Sequence, residues 1–207
     1  MRALIMAGGS GSRLSSGEKP LALICGRPMI AYVIHAFQNA GCEPVVAGSP
    51  KTPMTANWCR ANGIVFCRTD GRGYIDDMVQ AVRSLDEDGP LFVSVADIPC
   101  ITESVVLSIR QAYQKSGKDA LSTWVPATAV TSCRESMPYR EKIGGTEASP
   151  VGINIIRGNR AGEEQDEYRL LVNDPRLALN VNTPADYERA EAFIRQNPSP
   201  DRPVQIE

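Results

Sequence analysis

The N-terminal segment Leu4–Leu21, LIMAGGSGSRLSSGEKPL, combines a short apolar run with four glycines, an arginine and a lysine. Glycine adopts positive φ and has no Cβ, so the backbone amides that follow the apolar run can approach the oxygens of a phosphate. Arg13 and Lys19 add positive charge, since an arginine can bind two phosphate oxygens while a lysine acts as a point charge. The segment therefore predicts a loop that binds a triphosphate whose leaving group is pyrophosphate.

Three alternatives compete for this glycine-rich segment. The dinucleotide pattern G-x-G-x-x-G fits Gly9 and Gly11 but has Leu14 at its third glycine position, and no acid follows the second predicted strand. The P-loop pattern fails because Gly17 is followed by Glu18, where that pattern has lysine and a hydroxyl residue. A plain turn seldom combines a strand exit, close glycines and two cations. A polyphosphate-binding loop is therefore favoured.

Composition limits the other functions that the chain can have. The 207 residues carry a formal net charge of -2, which excludes the broad basic surface of a nucleic-acid-binding protein. No apolar run approaches the roughly 18 residues of a membrane span, and no signal-peptide pattern is present. The six cysteines have no C-x-x-C spacing and are interpreted as free thiols. We expect a cytoplasmic protein with no nucleic-acid partner and no membrane span.

Short apolar runs alternate with helical patterns, which is typical of parallel strands joined by crossover helices. The expected fold is α/β, with three layers around a mostly parallel, Rossmann-like sheet. Strands are predicted at ALIMA, PVVAG, GIVFC, LFVSVA, VGINII and LALNV, with helices after Pro28, over 53–62, over 74–85, near Thr102 and after Thr183. Ligands collect at the carboxyl ends of such strands. The loops after Ala7, Cys67 and Ala96 are the expected sites, whereas the loop after Ala47 offers no promising glycine or acid.

The chain is predicted to form one domain over residues 1–197. The stretch near 126–150 is about half polar and contains a Gly-Gly pair, so it is interpreted as an irregular flap over an acceptor. Residues 198–207 contain three prolines and are expected to form a loose C-terminal tail.

Oxygen ligands for a cation are predicted after two strands. Asp97 closes the strand LFVSVA, and Mg²⁺ needs only one or two carboxylates together with substrate phosphates. An alternative role for Asp97 is to cap the helix near Thr102. Asn182 follows the strand LALNV and is either a second, weaker metal ligand or part of a turn.

A nucleotide base is predicted to contact the segment TDGRGYIDD. Guanine presents two donors on its pairing edge, and these require a carboxylate or carbonyl acceptor. Asp70 is a candidate for this contact, and Gly73 lets the loop lie against a base, although turn formation explains Asp70 equally well. Asp76 and Asp77 are interpreted as first-turn acids of the next helix. A base other than guanine remains open.

The residues above resemble those of a known superfamily. LIMAGGSGSRLSSGEKPLALICGRPMI resembles the signature of MobA-like nucleotidyltransferases, in which G-G-x-G-x-R and a downstream K-P hold a nucleoside triphosphate. The segments SPKTP, TDGRGYIDD, GINII and NVNTPAD are similar to those of the archaeal adenosylcobinamide-phosphate guanylyltransferases. This resemblance implies a GT-A-like topology and Mg²⁺-dependent transfer of GMP from GTP to a phosphorylated corrinoid acceptor, adenosylcobinamide phosphate, with loss of pyrophosphate.

The resemblance also implies a role for individual residues. The catalytic residues would be Arg13, Lys19 and Asp97; the nucleotide-binding residues Ala7, Gly8, Gly9, Ser10, Gly11, Ser12, Asp70 and Gly73; the acceptor-binding residues Gly152 and Asn154; and the metal ligands Asp97 and Asn182. A phosphate acceptor has its second pKa near 6 and is already mostly a dianion at neutral pH. No general base is then needed, and His35 and the cysteines are given no chemical role.

Several alternatives stay open on the acceptor side. Arg134, Arg140 and Lys142 in the predicted flap could meet the acceptor phosphate or could simply be solvated loop charges. A molybdenum-cofactor guanylyltransferase or a sugar-phosphate nucleotidyltransferase would share the N-terminal loop and Asp97. A nucleotide-sensing module without turnover is the alternative from another class, and a homodimer is left open.

Overall fold

The computed structural model describes residues 1–9, 17–129 and 139–197. The strands are β1 (Arg2–Met6), β2 (Leu23–Ile24), β3 (Arg27–Pro28), β4 (Glu43–Gly48), β5 (Val65–Arg68), β6 (Pro90–Val95), β7 (Ala120–Pro126), β8 (Glu141–Ile143), β9 (Thr146–Arg157) and β10 (Glu167–Leu171). The helices are α1 (Met29–Asn39), α2 (Pro53–Ala61), α3 (Tyr74–Ser84), α4 (Glu103–Ser116) and α5 (Pro184–Gln196). No helix in the described ranges is long and apolar enough to cross a membrane.

The main sheet has the strand order β10-β7-β9-β6-β1-β4-β5, and β8 pairs with the start of β9. Among the described strands of this sheet, β9 is antiparallel to each of its neighbours β6, β7 and β8, whereas the other pairs along the path are parallel. Strands β2 and β3 form a separate hairpin. The predicted three-layer α/β fold with a mostly parallel sheet is confirmed.

The central strand β1 is buried on both faces. Ala3 and Ile5 belong to the core that includes α1 and α4, whereas Leu4 belongs to the core beneath α3. On the first face, Phe37 of α1 meets Phe92 of β6 with ring centroids 5.2 Å apart. A strand covered on both faces has a continuous apolar sequence, as ALIMA does. This packing fixes the point at which the chain leaves β1 and enters the glycine-rich loop.

The segment LALNV, predicted as a strand, instead begins in a 3-10 turn over Pro175–Ala178 and continues without regular structure, so the strand prediction was wrong. The side chain of Asp174 accepts a hydrogen bond from the Arg176 amide, and Pro175 begins the turn. The turn buries Leu177 and Ala178 in the core. These apolar residues are therefore buried although their segment pairs with no described strand of the sheet. The edge of the sheet on this side is formed by β10, a strand that the apolar pattern does not predict.

Part of the stretch predicted as an irregular flap has regular structure. Residues 141–150 form β8 and the first part of β9, joined by Gly144 and Gly145. Both glycines have positive φ, 57° and 86°, which is the geometry that a two-residue hairpin turn requires. In the rest of the predicted flap, Pro126 ends β7 and residues 127–129 form a turn, whereas residues 130–138 lie outside the described residues, as does the predicted tail at 198–207.

The predicted start of α5 is confirmed, with Thr183 as its N-cap in a capping box. Asp186 lies in the first turn, and its carboxylate accepts hydrogen bonds from the amides of Asn182 and Thr183 at 3.1 and 2.9 Å. Burial opposes ionisation of Asp186, but the hydrogen bonds from Thr183, Asn182 and Arg189 outweigh it and hold its pKa below the usual range. The ionised carboxylate thereby fixes the backbone of Asn182.

We predict that Asp186→Asn lowers the free energy of unfolding at pH 7 by about 1.5–3 kcal/mol, because the partly buried amides of Asn182 and Thr183 lose a charged acceptor. A depressed folded-state pKa stabilises the protein above the unfolded value of about 3.9, and that stabilisation disappears as pH falls through the folded value. Urea denaturation should therefore show a smaller difference between variant and wild type at pH 3 than at pH 7. Asp76→Asn, in the exposed first turn of α3, is the matched control and should change little at either pH.

Candidate nucleotide-binding site

The carboxyl ends of β1, β4, β5 and β6 meet at one edge of the sheet, where the structure has a cleft of about 390 Å³. Residues predicted for the site line this cleft, namely Ala7, Gly8, Gly9, Lys19, Gly73 and Asp97. Ser10, Gly11, Ser12 and Arg13 lie outside the described residues, so their roles remain predictions.

The glycine loop after β1 is held by the loop that follows β4. The Ala7 amide donates to the Ala47 carbonyl at 2.7 Å, and the Ser49 hydroxyl donates to the Gly8 carbonyl at 2.8 Å. A Cβ on Gly8 would lie 3.4 Å from the Ser49 Cβ, whereas one on Gly9 would meet nothing within 4 Å. The backbone of Gly9 is therefore open to the cleft, as an approach by a ligand requires.

Lys19 lies at the centre of the candidate site, on a short 3-10 turn over Lys19–Leu21. Its Nζ forms an ion pair with the Asp97 carboxylate and also donates to Asn182 Oδ1 at 2.8 Å. The Asn182 side chain is oriented by a second bond, from its Nδ2 to Asn180 Oδ1 at 2.9 Å. Three residues predicted from distant segments are thus brought together.

The Asp97 carboxylate has an oxygen that Lys19 does not use. Asp97 Oδ1 is buried and has no hydrogen-bond partner among the described residues. Helix α4 has Thr102 as its N-cap, so the alternative that Asp97 caps this helix does not hold. This carboxylate oxygen and the amide oxygen of Asn182, which shares Lys19 with Asp97, are of the ligand type that Mg²⁺ prefers. Within the described ranges, no group of three or more His, Cys, Asp or Glu side chains could hold a metal ion.

The loop after β5 takes its shape from Asp77, which the sequence indicates only as a first-turn acid. The buried Asp77 Oδ1 accepts hydrogen bonds from the amides of Gly71 and Arg72, at 2.9 and 3.1 Å. Gly71 and Gly73 then have positive φ and face the cleft. Asp70 lies outside the cleft lining, where its carboxylate pairs with Arg72 at 3.2 Å. Contact between Asp70 and a base stays a prediction.

Lys51 and Tyr74 also line the cleft, and neither is among the site residues predicted from the sequence. Lys51 is exposed on the loop after β4, and within the described part of the chain its ammonium has no ion-pair partner. Tyr74 begins α3 and is 42% exposed as a residue, but its hydroxyl is desolvated, and this desolvation together with the negative charge of Asp97 raises the pKa of the hydroxyl to about 12. The tyrosine therefore stays neutral at physiological pH and can donate a hydrogen bond. The SPKTP segment contains the lysine, but no local pattern in it points to the cleft.

The residues predicted for the acceptor lie on β9, next to the cleft. Gly152 has φ 80°, and a Cβ there would lie 2.9 Å from Cγ1 of Val95, which lines the cleft. Packing against Val95 thus accounts for this glycine without any ligand. Asn154 pairs with Val93 of β6 and Ser122 of β7, and it lies outside the cleft lining. Their contact with an acceptor stays a prediction.

Residues 3–144 match the family model of the MobA-like NTP transferase domain. The chain is 31% identical over 203 residues to the adenosylcobinamide-phosphate guanylyltransferase of Methanocaldococcus jannaschii, covering 95% of this chain and 99% of that protein. It is 27% identical over 188 residues to a 3-deoxy-manno-octulosonate cytidylyltransferase of a Methylobacterium species, covering 88% and 72%.

Solved structures agree on the fold. The molybdopterin-guanine dinucleotide biosynthesis protein A of Archaeoglobus fulgidus superposes with a TM-score of 0.67 at 18% identity, covering 95% of this chain and all of that one. At this identity the likeness concerns the fold alone. The family match, the long alignment with a guanylyltransferase and the composition of the cleft lead to one conclusion. The chain belongs to the MobA-like NTP transferase family and is a nucleotidyltransferase.

Proposed function

We propose that the protein transfers GMP from GTP to the phosphate of adenosylcobinamide phosphate, forming adenosylcobinamide-GDP and releasing pyrophosphate. The observation that carries this proposal is the meeting of the Lys19 ammonium, the Asp97 carboxylate and the Asn182 amide beside the Gly8 loop. The similarity to the Methanocaldococcus jannaschii guanylyltransferase over nearly the whole of both chains supports GTP and the corrinoid acceptor.

In this reaction an oxygen of the acceptor phosphate attacks the α-phosphorus of GTP, and the bond to the bridging oxygen of the β-phosphate breaks. With a second pKa near 6, the acceptor phosphate is already mostly a dianion at neutral pH. The protein then has to position two anions and reduce their repulsion, and proton abstraction is not required.

The cleft supplies positive charge and amide donors from different walls. The Gly8 and Gly9 backbone faces the triphosphate, and Lys19 stabilises the negative charge that builds up on the departing pyrophosphate. Lys51 contacts a phosphate oxygen from the neighbouring loop after β4, which also lines the cleft. Arg13 adds a further contact to the triphosphate under this proposal.

Asp97 and Asn182 would hold Mg²⁺, because their oxygens lie together on Lys19 and Asp97 Oδ1 has no partner among the described residues. When bound, the ion supplies charge neutralisation of the triphosphate and of its leaving group. Asn180 orients the Asn182 amide so that its oxygen faces the cleft residue Lys19.

We place the enzyme in the cytoplasm, in keeping with the free thiols of the five described cysteines.

The acceptor is proposed to lie over β9, on the face of the sheet that continues from the cleft. Gly152 is packed against Val95 of the cleft lining, and Asn154 lies two positions further along the same face of the strand. Asn154 carries an amide that can donate to and accept from a corrinoid side chain.

We expect Lys19→Ala and Asp97→Ala each to lower the turnover of GMP transfer at least about 100-fold, because each loses a charged contact in the transition state. Product formation from Mg²⁺, GTP and adenosylcobinamide phosphate is measured by chromatography. Lys118→Ala and Asp166→Ala are matched controls, since these residues form an exposed ion pair on another part of the surface. Normal turnover in Asp97→Ala would remove the metal assignment, and product with a sugar phosphate alone would reject the proposed acceptor.

Lys51→Ala should weaken binding of Mg²⁺·GTP about tenfold, because it removes a charge-assisted hydrogen bond of about 1.5–3 kcal/mol from a partly solvated site. Calorimetric titration with the four nucleoside triphosphates measures both this loss and the preference for GTP. Lys118→Ala should bind as the wild type does. Equal affinity for all four triphosphates would contradict the assignment of guanine.

Asn154→Ala should raise the KM for the acceptor about threefold to tenfold and leave the affinity for GTP unchanged, because one amide contact on the acceptor side is lost. Steady-state kinetics with each substrate varied in turn separates the two effects. An unchanged KM for the acceptor would remove Asn154 from the acceptor site.

A further inference from the structure

The N-terminus of helix α2 is not capped by the side chain of its own N-cap residue. Pro53, its first residue, has no amide hydrogen, and its N-cap residue Thr52 makes no capping bond with its side chain. The Thr52 hydroxyl instead accepts from the Ser49 amide at 3.1 Å and donates to the Ser49 carbonyl at 3.2 Å. The amides of Met54 and Thr55 therefore need an acceptor from elsewhere.

Glu18 supplies that acceptor from a segment 36 residues earlier in the chain. One carboxylate oxygen accepts from the Met54 amide at 2.6 Å, and the other accepts from the Thr55 amide and the Thr55 hydroxyl, both at 2.6 Å. These are charge-assisted bonds at the positive end of a helix, so the negative charge is stabilised there. The carboxylate attaches its own segment firmly to α2.

Glu18 is followed directly by Lys19, whose side chain is mostly buried in its contacts with Asp97 and Asn182. A lysine stem is flexible, so the place of its ammonium depends on where its backbone is held. That backbone is held on one side by Glu18 and on the other by the buried Pro20. The same bonds hold the first turn of α2, which follows the loop that carries Lys51.

We propose that Glu18 is a positioning residue, which holds the Lys19 backbone against α2 so that the ammonium reaches Asp97, Asn182 and the bound triphosphate. Glu18 lies outside the cleft lining and acts through Lys19. This role in turnover rests on the proposed function, whereas the placement of Lys19 can be measured without it.

Glu18→Gln is the sharpest variant, because it keeps the size of the side chain. Its amide group places an N–H donor where the carboxylate accepted one, so a bond to Met54 or Thr55 is lost. Glu103→Gln, in the exposed first turn of α4, is the matched control. Thr55→Val removes only the hydroxyl bond at a fully buried position and is the second variant, should Glu18→Gln not fold.

The first measurement is the rate at which a water-soluble acylating reagent labels Lys19, read by peptide mass spectrometry on the folded, ligand-free protein. We expect labelling of Lys19 to rise several-fold in Glu18→Gln and less in Thr55→Val, with Glu103→Gln equal to wild type. Lys118, on the surface, is the internal reference. An unchanged labelling rate of Lys19 in folded Glu18→Gln, or in Thr55→Val where only that variant folds, would overturn the proposal.

The second measurement is turnover in a double-mutant cycle with Lys19→Ala. Glu18→Gln should lower kcat about tenfold or more in the wild-type background, as expected for a displaced catalytic group, with a smaller change in the KM for GTP. In the Lys19→Ala background it should have no further effect. An equal loss in both backgrounds would show that Glu18 acts independently of Lys19. If the wild type transfers no nucleotide at all, the proposed function fails, and the labelling rates still decide the role of Glu18.

Discussion

The contact of the Lys19 ammonium with the Asp97 carboxylate and the Asn182 amide is the constraint on which the candidate site depends. It joins the loop after β1, the end of β6 and the start of α5, which lie far apart in the sequence. The Asp97 carbonyl also accepts a hydrogen bond from the Val181 amide at 2.8 Å, so backbone and side chains connect the same segments. Under the proposed function, the ammonium serves the triphosphate and the carboxylate and amide oxygens serve a divalent cation.

The parallel sheet explains why this contact can form. Strands β1, β4, β5 and β6 run in one direction, so the loops that follow them emerge at one edge. Side chains then fix each loop: Ser49 bonds the Gly8 carbonyl, Asp77 bonds the Gly71 amide, and Glu18 bonds α2. The described walls of the cleft are therefore held by hydrogen bonds of the protein itself, which lowers the conformational cost of binding.

Much of the fold and part of the site could be predicted from the sequence. The glycine loop, Lys19 and Asp97 carry strong local signals, because each follows directly from a buried strand or a short motif. The roles of Lys51 and Glu18 could not be predicted, because they depend on contacts between segments that are distant in the sequence. The spacing of residues along the chain does not indicate such contacts. The strand predicted at LALNV is wrong because its apolar residues are buried by a 3-10 turn, and β10 is not predicted because an edge strand with Glu167 and Arg169 has no apolar alternation.

The measurement that tests the central claim most directly is a crystal structure of the protein soaked with GTP and Mg²⁺. We predict that the triphosphate lies on the Gly8 and Gly9 backbone with Lys19 on its phosphate oxygens, and that Asp97 and Asn182 bind the ion. A nucleotide bound elsewhere, with the cleft empty and no ion on Asp97 and Asn182, would contradict this prediction.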